Sequence, residues 1–519
     1  MAIFLVCMAS LVLIFFTSYV FHLFTNTHRR LPPGPRPLPL IGNLLDIAGD
    51  LPHRSLAHLA RRHGPLMTLR LGTAGVTIVA SSPATAREVL QTHNGSLTGR
   101  SPPDAWRGAG HADNSVFVLP PRRKWRALRR IGAEHMISPR MLDDGARRLR
   151  PILRDAVLGL VGRVSEAAGH GGVPVEVGRV VFAALADLQW RAMFSVSLDE
   201  AADVDTARAL HDAAREAVAL SLKPNVSDFF PMLAAFDLQG LRRRFGRSMA
   251  TVYGLIDEQI EIRVRSRRLD NAGGVDKDDD LLDVLLDMSE KGKDGDVVNI
   301  DRGVMRTFLA DIFLATVDAV SCGIEWAMAE LLQNPPIMLK LQEELRRVLG
   351  SKTHAEYSDM DNLPYLQAVT KETLRLHPVV PFVPNETEET VEIQGHIIPK
   401  GSTVLVNVWA VHRDAEVWPE PDKFLPERFL LRQNEQEAAR RPLGTATTEF
   451  ELIPFSAGRR VCLGMPLATR MLHAMLGTLL HRFEWTLLRE VEKCGVDMSE
   501  NLGLTMTMAT PLQAIAKGI

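Results

Sequence analysis

Apolar side chains recur every three to four residues over positions 83–93, 121–137, 205–222, 241–267 and 301–333, the period of a helix with a buried face. Shorter strand-like runs occupy 66–71, 75–80, 391–393 and 403–407. The expected fold is therefore mainly α with a small β portion. Polar runs rich in Gly and Asp at 271–280 and 292–296 read as exposed loops. Neither flanks a self-contained unit, and no internal repeat is visible, so residues 43–519 read as one large domain.

The amino terminus has a different pattern. Residues 3–24 are mostly apolar, with His22 as the one potential charge. A run of about 20 such residues can span a bilayer as a helix. His28, Arg29, Arg30 and Arg36 follow, and basic residues beside a span tend to stay cytosolic. The pattern predicts a membrane anchor over 1–27 with the bulk of the chain in the cytosol. A cleaved signal peptide would need a charged start and a small-residue cleavage site, and neither is clear. Residues 28–42 form a basic, proline-rich hinge, Leu31-Pro-Pro-Gly-Pro-Arg-Pro-Leu-Pro-Leu40, too stiff to be helical. A plain linker is the other reading of that stretch.

Charge excludes one class of partner: 60 basic residues against 62 acidic ones give no footprint for nucleic acid. The four cysteines, Cys7, Cys322, Cys462 and Cys494, are too scattered for a disulfide framework and fit a reducing compartment. No phosphate-cradling glycine motif is present, so any electrons must come from another protein.

The most specific motif is Phe455-Ser-Ala-Gly-Arg-Arg-Val-Cys-Leu-Gly464. It resembles the cytochrome P450 signature at its five fixed positions, Phe455, Gly458, Arg460, Cys462 and Gly464. The resemblance implies haem b, with Cys462 as the thiolate ligand of the iron. Phe455 would shield the sulfur, Gly458 and Gly464 would let the loop turn N–H groups toward it, and Arg460 would pair with a haem propionate. An inert buried cysteine is the bland alternative. Upstream, Glu372 and Arg375 resemble the family's ExxR, and Arg428 in Phe424-Leu-Pro-Glu-Arg-Phe429 resembles the arginine that completes a buried network with them. Trp125 and Arg129 resemble its WxxxR pair, both expected at a propionate. The basic run 122–130 reads equally as a docking site for an acidic reductase or as a solvated face. These motifs span nearly the whole chain. Residues 225–231 and 237–240 look like the plant microsomal clade that includes geraniol, ferruginol and cassadiene hydroxylases.

Two departures carry chemical content. Where the family usually has A-G-x-D/E-T-T, this chain reads Ala315-Thr-Val-Asp-Ala-Val320. The acid persists as Asp318, the usual threonine is Ala319, and the usual glycine is Thr316. That threonine hydroxyl holds water for proton delivery in the family, and alanine cannot. Thr316 or a substrate hydroxyl is expected to substitute, unless Thr316 bonds its own helix carbonyl four residues back. The second departure is Asn385, where plant relatives usually carry Arg or His to meet a propionate.

The resemblance places the substrate pocket at residues 113–119, 225–233, 311–319 and 379–383, with Phe313, Val317, Ala319, Val380 and Phe382 among its lining. An apolar lining suits a terpenoid. The implied activity is monooxygenation of an apolar plant metabolite at the endoplasmic reticulum membrane, with NADPH acting only through cytochrome P450 reductase. A reductase-independent hydroperoxide isomerase or dehydratase, or a haem protein with impaired catalysis, is the alternative that Ala319 and Asn385 keep open.

Overall fold

A computed structural model describes residues 30–49, 51–137, 149–169, 172–270, 280–291, 298–431 and 450–519, together with six positions between 6 and 17. The expected anchor over 1–27 and the two polar loops at 271–280 and 292–296 lie outside the described residues, save those six positions and Asp280.

In chain order the elements that build the site begin with α1 (Pro52–His63), β1 (Leu66–Arg70), β2 (Val76–Ala80) and α2 (Arg123–Gly132). There follow α3 (Leu149–Ala168), β3 (Pro174–Glu176), α4 (Val177–Phe194), α5 (Val204–Ser221), α6 (Leu241–Asp270) and α7 (Arg302–Gln333). The last part holds α8 (Pro364–Leu376), β4 (Phe382–Glu386), β5 (Val391–Ile393), β6 (His396–Ile398), β7 (Thr403–Asn407), α9 (Met465–Arg482), β8 (Phe483–Leu487), β9 (Glu500–Leu502), β10 (Met506–Met508) and β11 (Gln513–Gly518). The fold is mostly helical with several small sheets, as the periodicity indicated.

Helix α7 is the axis of the molecule. Its amino end is capped by Asp301, whose carboxylate accepts the Val304 N–H at 2.8 Å. It is apolar on nearly every side, so no single face is amphipathic, and such a helix must be buried all round. Among the described residues it is the one helix long and apolar enough to cross a membrane, yet most of it is buried, so it is a core helix. It packs against α4 and α9, and the Trp190 ring meets Phe313 edge-on at 5.8 Å.

A four-stranded sheet of order β1-β2-β7-β4 lies beside the helical body. Strands β2 and β7 run parallel, with Thr77 opposite Thr403; β4 runs antiparallel to β7, with Phe382 opposite Asn407. The β5–β6 hairpin turns on Gln394 and Gly395, both with positive φ, as a two-residue hairpin turn requires. Strand β11 is central in a second sheet of order β3-β11-β8. The β9–β10 hairpin is stapled onto α7: the Met506 carbonyl accepts the Trp326 indole N–H at 2.8 Å and the Cys322 thiol at 3.2 Å.

Candidate functional site

Cys462 sits in the turn that leads into α9. Its N–H donates to the Phe455 carbonyl at 2.9 Å, closing the loop, and the Gly464 and Met465 N–H groups at the start of α9 point at the sulfur. Burial pushes the thiol up, and those N–H groups with the Arg129 charge draw it the other way. A thiolate there would sit at a helix amino terminus, which favours negative charge. The Cys462 residue nonetheless retains accessible surface, so it borders an internal opening rather than packed neighbours.

Gly458 makes the turn possible. Its φ is +70°, and a Cβ there would lie 1.9 Å from the Leu90 carbonyl oxygen. Gly458→Ala is expected to cost at least about 2 kcal/mol and to lower the haem-to-protein ratio of the purified enzyme, read by thermal unfolding and by absorbance.

Three guanidiniums gather beside this loop. Arg460 donates to the carbonyls of Thr98, Phe117 and Leu119, and Arg129 to that of Val461. Both stack on the Trp125 ring, at 4.9 and 5.1 Å from its centroid. The Trp125 N–H itself goes to the Val116 carbonyl at 3.1 Å, so the indole acts as a platform for the cations. The third member, Arg100, escaped the sequence reading; it donates to the carbonyls of Pro384 and Phe117. Burial, then repulsion from Arg460 and Arg129, brings Arg100 down to about 9, and burial with the Arg129 charge brings Arg460 to about 10. No described carboxylate forms an ion pair with any of the three. Such a cluster calls for an anion, and a sulfur donor beside it suits an iron porphyrin bearing two carboxylates. Asn385 is buried on β4 and makes only a long contact, 3.4 Å, to the Val383 carbonyl.

A buried ionic network underlies the loop. Glu372 and Arg375, both wholly buried on α8, form a two-point pair at 2.7 and 2.9 Å. Arg428 adds a bond to the same carboxylate at 3.0 Å, and the Leu425 N–H another at 2.8 Å. Arg375 also donates to the carbonyls of His412, Pro421 and Lys423. The His412 ring carries the restraint onward by accepting the Ile453 N–H at 2.9 Å, two residues before Phe455. Burial, with Arg375 and Arg413 nearby, depresses His412 to about 3, so the ring is neutral and free to accept.

On α7 the faces separate. The ends of one stripe touch the cysteine region: Phe308 lies by Gly132 and Leu463, and Gly323 packs on Leu472 of α9. Between them, on the same stripe by helical spacing, Ala315, Thr316 and Ala319 remain half-buried. The Thr316 hydroxyl makes no hydrogen bond to a described residue, so the bond back to its own helix is not formed. Asp318 is about 200° round the helix from Thr316. It accepts a bond from the Thr505 hydroxyl, beside a small cavity lined by Arg215, Cys322, Glu325 and Thr507. Burial pushes the Asp318 carboxyl up, against the pull of Thr505 and Arg215. Thr505, 187 residues away in sequence, had no local signal.

Three of the expected pocket residues are closely packed against neighbours. Phe313 and Val317 are fully buried on another stripe of α7, Phe313 against Trp190 of α4. Phe382 fills the apolar cluster of Leu56, Leu59, Met67, Leu69 and Val79 beneath the first sheet. Val380 and Ala319 are half-buried and remain available.

Residues 32–513 match the family described as Cytochrome P450. Geraniol 8-hydroxylase of Swertia mussotii is 40% identical over 95% of this chain and 94% of its own. Carnosic acid synthase of Rosmarinus officinalis is 39% identical over 95% and 96%, and Oryzalexin E synthase of Oryza sativa subsp. japonica 40% over 93% and 91%. A solved structure of a zebra fish cytochrome P450 with progesterone superposes with a TM-score of 0.73 at 24% identity, covering 91% of this chain and 100% of the other.

Proposed function

This chain belongs to the cytochrome P450 family and is a monooxygenase-class oxidoreductase, and from that premise we propose that it oxidises an apolar plant terpenoid with electrons from NADPH delivered by cytochrome P450 reductase. One oxygen atom of O2 enters the substrate and the other leaves as water, which consumes two electrons and two protons. The haem iron, when bound, supplies oxygen activation.

The observation that carries this reading is the placement of Cys462 at the start of α9, where the Gly464 and Met465 N–H groups point at its sulfur beside the cluster of Arg100, Arg129 and Arg460. Cys462 would bind the iron. Gly458, Gly464 and Phe455 shape and shield its loop. Arg100, Arg129 and Arg460 would hold the propionates, with Trp125 bracing the last two, while Glu372, Arg375 and Arg428 keep the loop's scaffold in place. Terpenoid substrates are supported by the relatives' names and by the apolar stretches bordering the stripe. The anchor, residues 1–27, and the hinge, residues 28–42, would hold the catalytic part, 43–519, on the cytosolic face of the endoplasmic reticulum.

Proton delivery divides between two residues on opposite sides of α7. Asp318, kept protonatable by burial, is the proton donor, and the Thr316 hydroxyl holds the water that Ala319 cannot. Thr316→Ala is expected to divert reducing equivalents, cutting product per NADPH by roughly tenfold and raising peroxide, while Thr316→Ser retains most product.

The experiment is co-expression with a plant reductase, supplying geraniol and labdane-type olefins and measuring product and peroxide per NADPH. Oxygenated product dependent on reductase supports the reading. Turnover of an added hydroperoxide with none from reductase would replace it with an isomerase.

A further inference from the structure

Residues 104–119 border the proposed pocket, and they are tied down by a line of buried polar groups that the oxidation chemistry does not use. His111 is almost wholly buried, as are Ser115, Tyr253, Thr307 and Asp311. The His111 Nδ1 lies 2.7 Å from the Tyr253 hydroxyl on α6, and its Nε2 lies 3.2 Å from Asp311 Oδ1 on α7. Asp311 also accepts the Ser115 hydroxyl at 3.0 Å and the Val116 N–H at 2.7 Å. Tyr253 continues the line to the Thr307 hydroxyl at 3.4 Å.

The ring is held from both nitrogens: Nδ1 is within hydrogen-bond distance of the Tyr253 hydroxyl, and Nε2 faces the Asp311 carboxyl. Burial holds that phenol protonated, up to about 12. Aromatic packing fixes the ring: Trp106 meets His111 at 5.1 Å and Phe245 at 5.7 Å. The backbone supports the same contact. Gly108 lies so close to α6 that a Cβ would be 2.4 Å from the Arg242 carbonyl oxygen, and Ala109 and Gly110 take positive φ to turn His111 inward.

We propose that His111 is a positioning residue that fixes the shape of the substrate pocket by joining residues 113–119 to α7 through Asp311 and to α6 through Tyr253. The proposal deepens the monooxygenase reading and rests on it only in taking 113–119 as pocket wall. Removing the imidazole leaves Tyr253 and Asp311 each short of a buried partner, which loosens the wall without touching Cys462 or the arginine cluster.

The test uses the full-length holoenzyme with His111→Phe, which keeps the aromatic packing and deletes both polar contacts. His111→Gln serves as the rescue, since its amide can donate to Asp311 and accept from Tyr253. Tyr253→Phe is a milder second variant should His111→Phe fold poorly. Amide exchange over 113–119 is expected to quicken by about tenfold or more in His111→Phe and Tyr253→Phe and to return toward wild type in His111→Gln. Geraniol binding, followed by its haem spectral shift, should weaken by a similar factor, and the ratio of oxidised geraniol isomers should broaden, with the thiolate spectrum unchanged. Wild-type exchange over 113–119 in both His111→Phe and Tyr253→Phe would overturn the clamp. Absence of reductase-dependent product from the wild-type enzyme would instead count against the monooxygenase reading, because the exchange measurement decides the clamp without turnover.

Discussion

Cys462→Ala abolishes reductase-dependent turnover and the thiolate-type carbon monoxide spectrum of the reduced enzyme. Its thiol is the group at the start of α9 that can become an anionic sulfur ligand, and the Gly464 and Met465 N–H groups converge on it. Neither the guanidinium cluster nor Trp125 offers a replacement electron donor to iron, because protonated guanidinium has no lone pair to give. Some haem is expected to remain associated through Arg100, Arg129 and Arg460, so the measurement must separate binding from ligation. Total haem per protein falls partially, whereas the thiolate signature falls to background. Retention of that signature in Cys462→Ala would move the ligand elsewhere and sink the assignment.

Glu372→Gln is expected to cost about 3–5 kcal/mol and to prevent accumulation of holoenzyme. The carboxylate is wholly buried and satisfies donors from Arg375, Arg428 and the Leu425 N–H at once. Its loss leaves the fully buried Arg375 charge without a counter-ion, at a cost comparable with much of a domain's net stability. The strain reaches the cysteine loop through the His412 carbonyl and ring, so haem loss should precede global unfolding. Denaturant titration followed by both haem absorbance and backbone signal checks this. A single coincident transition at wild-type stability would remove the network from the account. Arg428→Lys, which keeps a charge but loses the planar fork, should fall between the two.

Much of this arrangement could be read along the chain, because family motifs record local geometry. The cysteine turn, the i,i+3 pairing of Glu372 with Arg375 and the period of the long helices all depend on neighbours in sequence. What escaped depends on distant ones. Arg100 stands alone among uncharged residues, and its role appears only where Arg129 and Arg460 meet it. His412 and Thr505 act through partners 41 and 187 residues away. Phe313 and Val317 were placed at the pocket by resemblance alone, because α7 is apolar all round and its pattern does not say which stripe faces a substrate. Helices α3 and α4 and the three-residue strands other than β5 carry too weak or too short a period to have been distinguished by pattern.

The β9–β10 hairpin bears on how such enzymes diverge. Its Thr505 holds Asp318, its Met506 carbonyl fastens α7, and the Met506 N–H bonds the Val379 carbonyl next to Val380. At its base Glu500 grips His53 and Arg54 of α1. One short stretch therefore touches Asp318, the Val379–Val380 segment and the amino-terminal helix together. Under the roles proposed for Asp318 and Val380, recombination that imports this stretch from a paralogue would move substrate preference and leakage of reducing equivalents as one heritable unit.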